Sequence, residues 1–332
     1  MLNRLNIAFM FSLFFGNAWA DCSYIAINEV NLTSQEMVNE FIHTLPNDYE
    51  DCAFIEYKGA ITVSGQDITD LSPLSRMESE DLTISDNPNL SSLSGLRYVG
   101  ILGLLKVNNN PKLLDLTGLN NLTEIRPFST FSSLVENNLE IIGNEALQSL
   151  NGLDALVKVH GHLVVQNNPH LTSIMGLVSL KRIGKMLIIR DNFQLINLKQ
   201  LPNKLKLGEG FAVIDNQSLQ TMDDVDFVAD GSNIKVYIVG NLNLEKIDVL
   251  NSFFARVTTI NISGNTMLTS LNGLQNMRPL FNGNDRKTHF FFDDQPALIS
   301  CFQICPLWQY SIRNAPKQLS LPCWEQLRSC SS

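Results

Sequence analysis

Apolar residues recur along most of this chain with a period of about 24 residues, and one asparagine marks each repeat. It stands at Asn87, Asn110, Asn144, Asn168, Asn192, Asn216, Asn241 and Asn265, in steps of 23, 34, 24, 24, 24, 25 and 24 residues. The step of 34 is one period plus a ten-residue insertion near Arg126 to Glu136. Five residues before the asparagine the chain carries Leu82, Leu105, Leu139, Leu163, Leu187, Phe211, Val236 and Ile260. Three before it come Ile84, Val107, Ile141, Val165, Ile189, Val213, Ile238 and Ile262. A spacing of two puts both side chains on one face of a strand.

Beyond the asparagine the spacing becomes three. The third residue is always leucine, from Leu90 to Leu268; the sixth and ninth are apolar throughout, as in Leu93 and Leu96 or Ile174 and Leu177. That spacing fits neither strand nor α-helix. It predicts a chain turning around a core with every third residue pointing inward. The residue preceding the asparagine is Asp, Asn or Gly in all eight copies, the types that tolerate a left-handed corner. Pro88, Pro111 and Pro169 follow it and stop the strand. Each period therefore predicts a short strand, a sharp corner and a return path, with strands of successive coils paired in parallel. One asparagine per coil predicts a structural ladder, each buried amide bonding the backbone of a neighbouring coil.

Shortened copies flank the array. Ile61 to Gly65, with Ile68 and Leu71, precedes it, and Phe290 to Leu298 aligns with Leu82 to Leu90. The expected fold is mainly β, a parallel β-solenoid of about ten coils with disulfide-bonded end caps. The expected divisions are a signal peptide at 1–20, an N-terminal cap at 21–58, the solenoid at 59–300 and a cysteine-rich cap at 301–332. The first follows from Arg4, the apolar run Ile7 to Phe15 and the small residues of Ala18-Trp19-Ala20, a secretory pattern too short to span a membrane. A helix is predicted from Ser34 to Leu45, capped by Ser34 or Thr33.

The six cysteines, Cys22, Cys52, Cys301, Cys305, Cys323 and Cys330, sit only at the two ends, and an even number in an exported chain reads as disulfides. Cys22 and Cys52 form the natural N-terminal pair. The other four allow three pairings, among which the sequence does not choose. Their Cys-x3-Cys and Cys-x6-Cys spacings fit zinc sites poorly.

The stretch Leu163 to Leu177, with Leu180 and Ile183-Gly184 after it, resembles the receptor L-domain repeat, and so does Leu82 to Leu96. The resemblance covers about residues 52 to 300. It implies a right-handed, leucine-rich β-helix like the ligand-binding lobes of the insulin and epidermal growth factor receptors, with relatives among fungal wall proteins and exported bacterial proteins. The chain lacks the receptors' cysteine-rich module, membrane helix and kinase, and the serine-rich tail of the fungal proteins. Signalling across a membrane by this chain alone is not expected.

The outward strand positions locate the candidate site. Val164, Ile188, Ala212 and Tyr237 stand four before the asparagine, and Ile142, Gln166, Arg190, Ile214 and Val239 two before it. Corresponding positions at both ends of the array are polar. Stacking would align the middle ones into one outward apolar stripe, a candidate partner surface. Cover by the protein itself, or the plain β-propensity of Val, Ile and Tyr, would also account for it.

Charge and chemistry narrow the function. The net charge of −9 is spread along the sequence without a basic run, so neither nucleic acid nor an anionic membrane is expected as partner. After the leader no apolar segment is long enough to span a membrane. Asp223, Asp224 and Asp226, and Asp293 and Asp294, cluster at corners, where Asp is common. His160, His162 and His170 lack a nearby carboxylate or cysteine to complete a metal set. No catalytic motif, metal or cofactor is expected. The sequence thus reads as a secreted, non-catalytic binding module for an extracellular or periplasmic protein or glycan. A structural envelope component is the alternative and a polysaccharide-acting enzyme the third reading.

Overall fold

The fold is seen in a computed structural model that describes residues 21–24, 29–45, 54–127, 137–222, 225–251, 253, 255–279, 289–292 and 296–297. It is a parallel β-solenoid. Among the described residues thirteen strands form the main sheet, and every pairing in it is parallel. About eight turns carry the full pattern, rather than about ten, because eight coils have the buried asparagine. The N-terminal flanking copy supplies a strand and the buried Ile68 and Leu71 but no ladder asparagine; the C-terminal one supplies the strand His289–Phe291. Ile61 and Val63 pair with Leu82 and Ile84, and Phe290 pairs with Ile260.

The inward positions form one continuous core. Leu163 and Val165 of the strand Leu163–Gln166 are buried, as are Leu171, Ile174 and Leu177 after the corner. The interval of three then continues to Leu180 and Ile183, the twelfth and fifteenth residues past Asn168. At that point the return path becomes a second sheet. Its six described strands are only two or three residues long, including Glu124–Ile125, Lys158–Val159, Arg182–Ile183 and Leu205–Leu207. Three phenylalanines bridge the interior in the later coils. Phe211 on the main sheet lies 5.0 Å, centroid to centroid, from Phe227 on the second sheet and 5.8 Å from Phe253.

All eight residues preceding the ladder asparagines have positive φ, from 54° at Asn167 and Asp215 to 70° at Gly143. That left-handed turn swings each asparagine inward, where it is fully buried. From Asn87 to Asn241 its backbone N–H donates to the Oδ1 of the asparagine one coil on, at 3.0–3.3 Å. Its Nδ2 donates to the carbonyl of a strand residue one coil back, at 2.7–3.0 Å. The ladder starts at the N–H of Gly65, which donates to Asn87. These bonds satisfy corner groups that lie beyond the reach of the strand ladder. Asn216 also begins a glycosylation sequon, but its side chain is held inside the coil.

Close stacking also demands glycine at one point of the return path. A Cβ on Gly176, at φ +113°, would collide with the Leu150 carbonyl of the coil before it. The same holds for Gly152 against Leu116.

At the N-terminal end the helix Gln35–Thr44 covers the first coil. Ser34 caps it, its Oγ accepting from Met37 N–H at 3.2 Å. Val38, Phe41 and Ile42 are buried beneath the helix, and Phe41 meets Tyr57 edge-on at 5.7 Å. Gln35 ties the helix to the solenoid, its Oε1 accepting from the N–H groups of Thr69 and Asp70. Cys22 lies on the strand Asp21–Tyr24, opposite Ile55. Cys52, Cys301, Cys305, Cys323 and Cys330 lie outside the described residues, as do residues 1–20 and most of the insertion.

Candidate functional site

Strand register decides which outward side chains become neighbours. Val164 pairs with Glu140 on one side and Ile188 on the other. Ile188 pairs with Ala212, and Ala212 with Tyr237. A second column runs Ile142, Gln166, Arg190, Ile214, Val239. All nine residues singled out in the sequence therefore stand on one face of one sheet. Neighbouring strands in such a sheet lie roughly 4.8 Å apart, so the columns are continuous.

Exposure within the columns is uneven. Ile142, Val164, Gln166, Ile188, Ile214, Tyr237 and Val239 are half-buried, and Arg190 is exposed. Ala212 departs from the expectation of an outward contact residue, being only 5% exposed. Its methyl group stands between the longer Ile188 and Tyr237 in register, and a short side chain between two long ones is shaded from solvent. Arg190 turns toward the corner, where its Nε lies 3.0 Å from Asp191 Oδ2. The next corner carboxyl, Asp215, is pushed above the usual carboxylate range by burial and by the charge of Asp191, against the opposing pull of Arg190.

The stripe has polar ends. Toward the N-terminus Lys106 Nζ faces Glu140 Oε2 at 3.6 Å, and Asn108 Oδ1 accepts from Ile142 N–H. Toward the C-terminus Ser263 Oγ donates to Asn261 Oδ1 at 2.7 Å. Past Asn261 the same column ends on Phe291, which is 45% exposed. Phe291 stands outside the nine residues of the stripe, and the alignment of Phe290 with Leu82 is the sequence signal that puts it in the outward column.

The three histidines have separate engagements. His160 Nε2 is 2.8 Å from Glu124 Oε1, His162 Nδ1 accepts from Met186 N–H, and His170 Nδ1 lies 2.8 Å from the Glu145 carbonyl. Among the described residues no three His, Cys, Asp or Glu side chains are grouped to hold a metal ion. Of the acidic clusters, Asp226 is described; Asp223, Asp224, Asp293 and Asp294 lie outside the described residues. Among the described residues no helix is long and apolar enough to cross a membrane. No family model, curated protein or solved structure matches this chain.

Proposed function

We propose that this chain is a secreted, non-catalytic binding module that recognises an extracellular or periplasmic protein or glycan through the outer face of its main sheet. The observation that carries this reading is the apolar stripe, in register across consecutive strands and bounded by polar residues at both ends. Inward positions of the strands must be apolar for the solenoid to fold. Outward positions carry no such demand, and a contiguous apolar patch there is characteristic of a partner surface. We further propose that the solenoid is right-handed, of the receptor L-domain kind, with disulfide-bonded caps. That kinship rests on the repeat residues themselves.

The test presents native protein and a Val164→Lys, Tyr237→Lys variant side by side to extracellular extract and a glycan panel, after thermal melting has established that both are folded. A partner held by the native form and lost by the variant supports the reading. Identical binding by the two forms overturns it and favours a structural envelope role.

A further inference from the structure

The second sheet faces outward too, and its column differs in kind. Consecutive short strands pair Glu124 with Lys158, Lys158 with Arg182, and Arg182 with Lys206. Lys181 precedes Arg182 on the same path. Lys204 joins them because Leu205 takes the inward place there, leaving Lys204 exposed in a left-handed turn at φ 63°. The five cations line one open groove of about 810 Å³, and among the described residues no carboxylate lines it.

Two of the five have acidic partners at the groove's margins. Arg182 Nη1 is 2.7 Å from Asp230 Oδ2, and Lys158 Nζ is 3.4 Å from Glu124 Oε1. Lys181, Lys204 and Lys206 have no carboxylate within ion-pair reach among the described residues. Like charges side by side on neighbouring strands disfavour the sheet. A chain of net charge −9 had ample acid to interleave here. The fold gains nothing from concentrating cations at this place, whereas an anionic ligand would.

We infer that this groove binds a linear polyanionic glycan, one bearing carboxylate or sulfate groups along its length, lying across the coils parallel to the solenoid axis. Cations repeat along that direction at the strand spacing of roughly 4.8 Å, on the scale of one sugar unit. Val157 and Val178, both at least one-third exposed, and Pro202 form an apolar border for the C–H faces of the rings. Among the described residues the groove is lined by no aromatic ring. Single-stranded nucleic acid is held by base stacking on aromatics, so the lining favours a glycan over a nucleic acid.

Titration calorimetry would use oligogalacturonate, a heparin oligosaccharide, neutral dextran and a single-stranded oligonucleotide as probes, over a range of salt. Native protein is expected to bind at least one of the two acidic glycans, more weakly as salt rises, and to ignore dextran. Whichever acidic glycan binds tighter assigns the anion. Lys181→Glu with Lys206→Glu should weaken binding on the order of tenfold or more, the loss for two charge-assisted contacts. Should that variant misfold, the charge-neutral Lys181→Gln, Lys206→Gln pair replaces it, with the same direction expected. Val164→Lys, Tyr237→Lys should leave this binding intact, separating it from the main-sheet site. Absence of glycan binding, binding unchanged in the folded groove variants, or an oligonucleotide bound as tightly as the glycan would overturn the inference.

Discussion

On the main sheet, consecutive coils turn Val164, Ile188, Ala212 and Tyr237 outward in one column. On the second sheet, overlapping stretches of the same coils turn Lys158, Arg182 and Lys206 outward in another. The two columns share one interior, one period and one mode of stacking. Their contrast is therefore not a by-product of folding, because the inward residues beneath both are equally apolar and equally buried. A solenoid separates the residues that hold it together from those free to meet a partner. Here the free residues have diverged into an apolar face and a basic one.

Loosening the interior that carries both faces would damage the molecule most. Phe227→Ala would empty the contact between the second sheet and Phe211 on the main sheet. A loss of about 3–5 kcal/mol is expected, since a large aromatic leaves a cavity the surrounding coils close only in part. Denaturant unfolding would measure it, and binding at both faces should fail together. A loss below about 1 kcal/mol would show that the later coils are looser than their burial implies.

Next comes the ladder. Asn168→Ala would leave the buried N–H of Asn144 without an acceptor and the carbonyl of Ile141 without its side-chain donor. A cost of about 2–3 kcal/mol is expected, because the backbone groups remain buried after their partner has gone. Hydrogen exchange would show the damage centred on the corners of the coils around Asn144 and Asn168. Uniform protection loss across all eight coils would instead mean that the solenoid unfolds as one unit rather than by neighbouring repeats.

Much of this was legible in the sequence, for a physical reason. Every inward position other than the ladder asparagine must be apolar, every sharp corner must tolerate positive φ, and each coil repeats the demand. Positions such as Leu163, Val165 and Leu171 thus declare themselves through many copies. Registers across the main sheet followed from the same alignment. The second sheet was harder to see, since strands of two residues leave no alternation to read and Lys204 interrupts the inward series. The basic groove was hidden more deeply. Lys158, Arg182 and Lys206 are 24 residues apart in sequence, so the charges look dispersed until stacking brings them into one column. The burial of Ala212 was invisible for a different reason: it depends on the length of its neighbours, not on the direction of its own side chain.

A gentler substitution separates the two faces instead of breaking both. Val164→Lys with Tyr237→Lys places charge on half-buried outward positions that the core does not use. Stability should change by no more than about 1 kcal/mol per site, the span of strand propensity. A melting temperature reduced as far as that of Phe227→Ala would mean that the stripe is covered and belongs to the core.

The smallest effect lies at the acidic end of the basic column. Burial pushes the Glu124 carboxyl up, but the hydrogen bond from His160, together with the charge and hydrogen bond of Lys158, outweighs it and holds the pKa below the usual carboxylate range. A carboxyl with a lowered folded-state pKa contributes stability that is fully present above its unfolded value. As pH falls the unfolded chain takes up the proton first, and the contribution disappears through the folded pKa. Glu124→Gln should therefore cost roughly 0.2–1 kcal/mol at neutral pH, as partly exposed pairs do, and nothing once the carboxyl is protonated. Melting curves of the two proteins should converge as pH is lowered. The same substitution releases Lys158, so polyanion affinity at neutral pH should rise while stability falls. A structural ion pair with no ligand beside it would show the second change without the first.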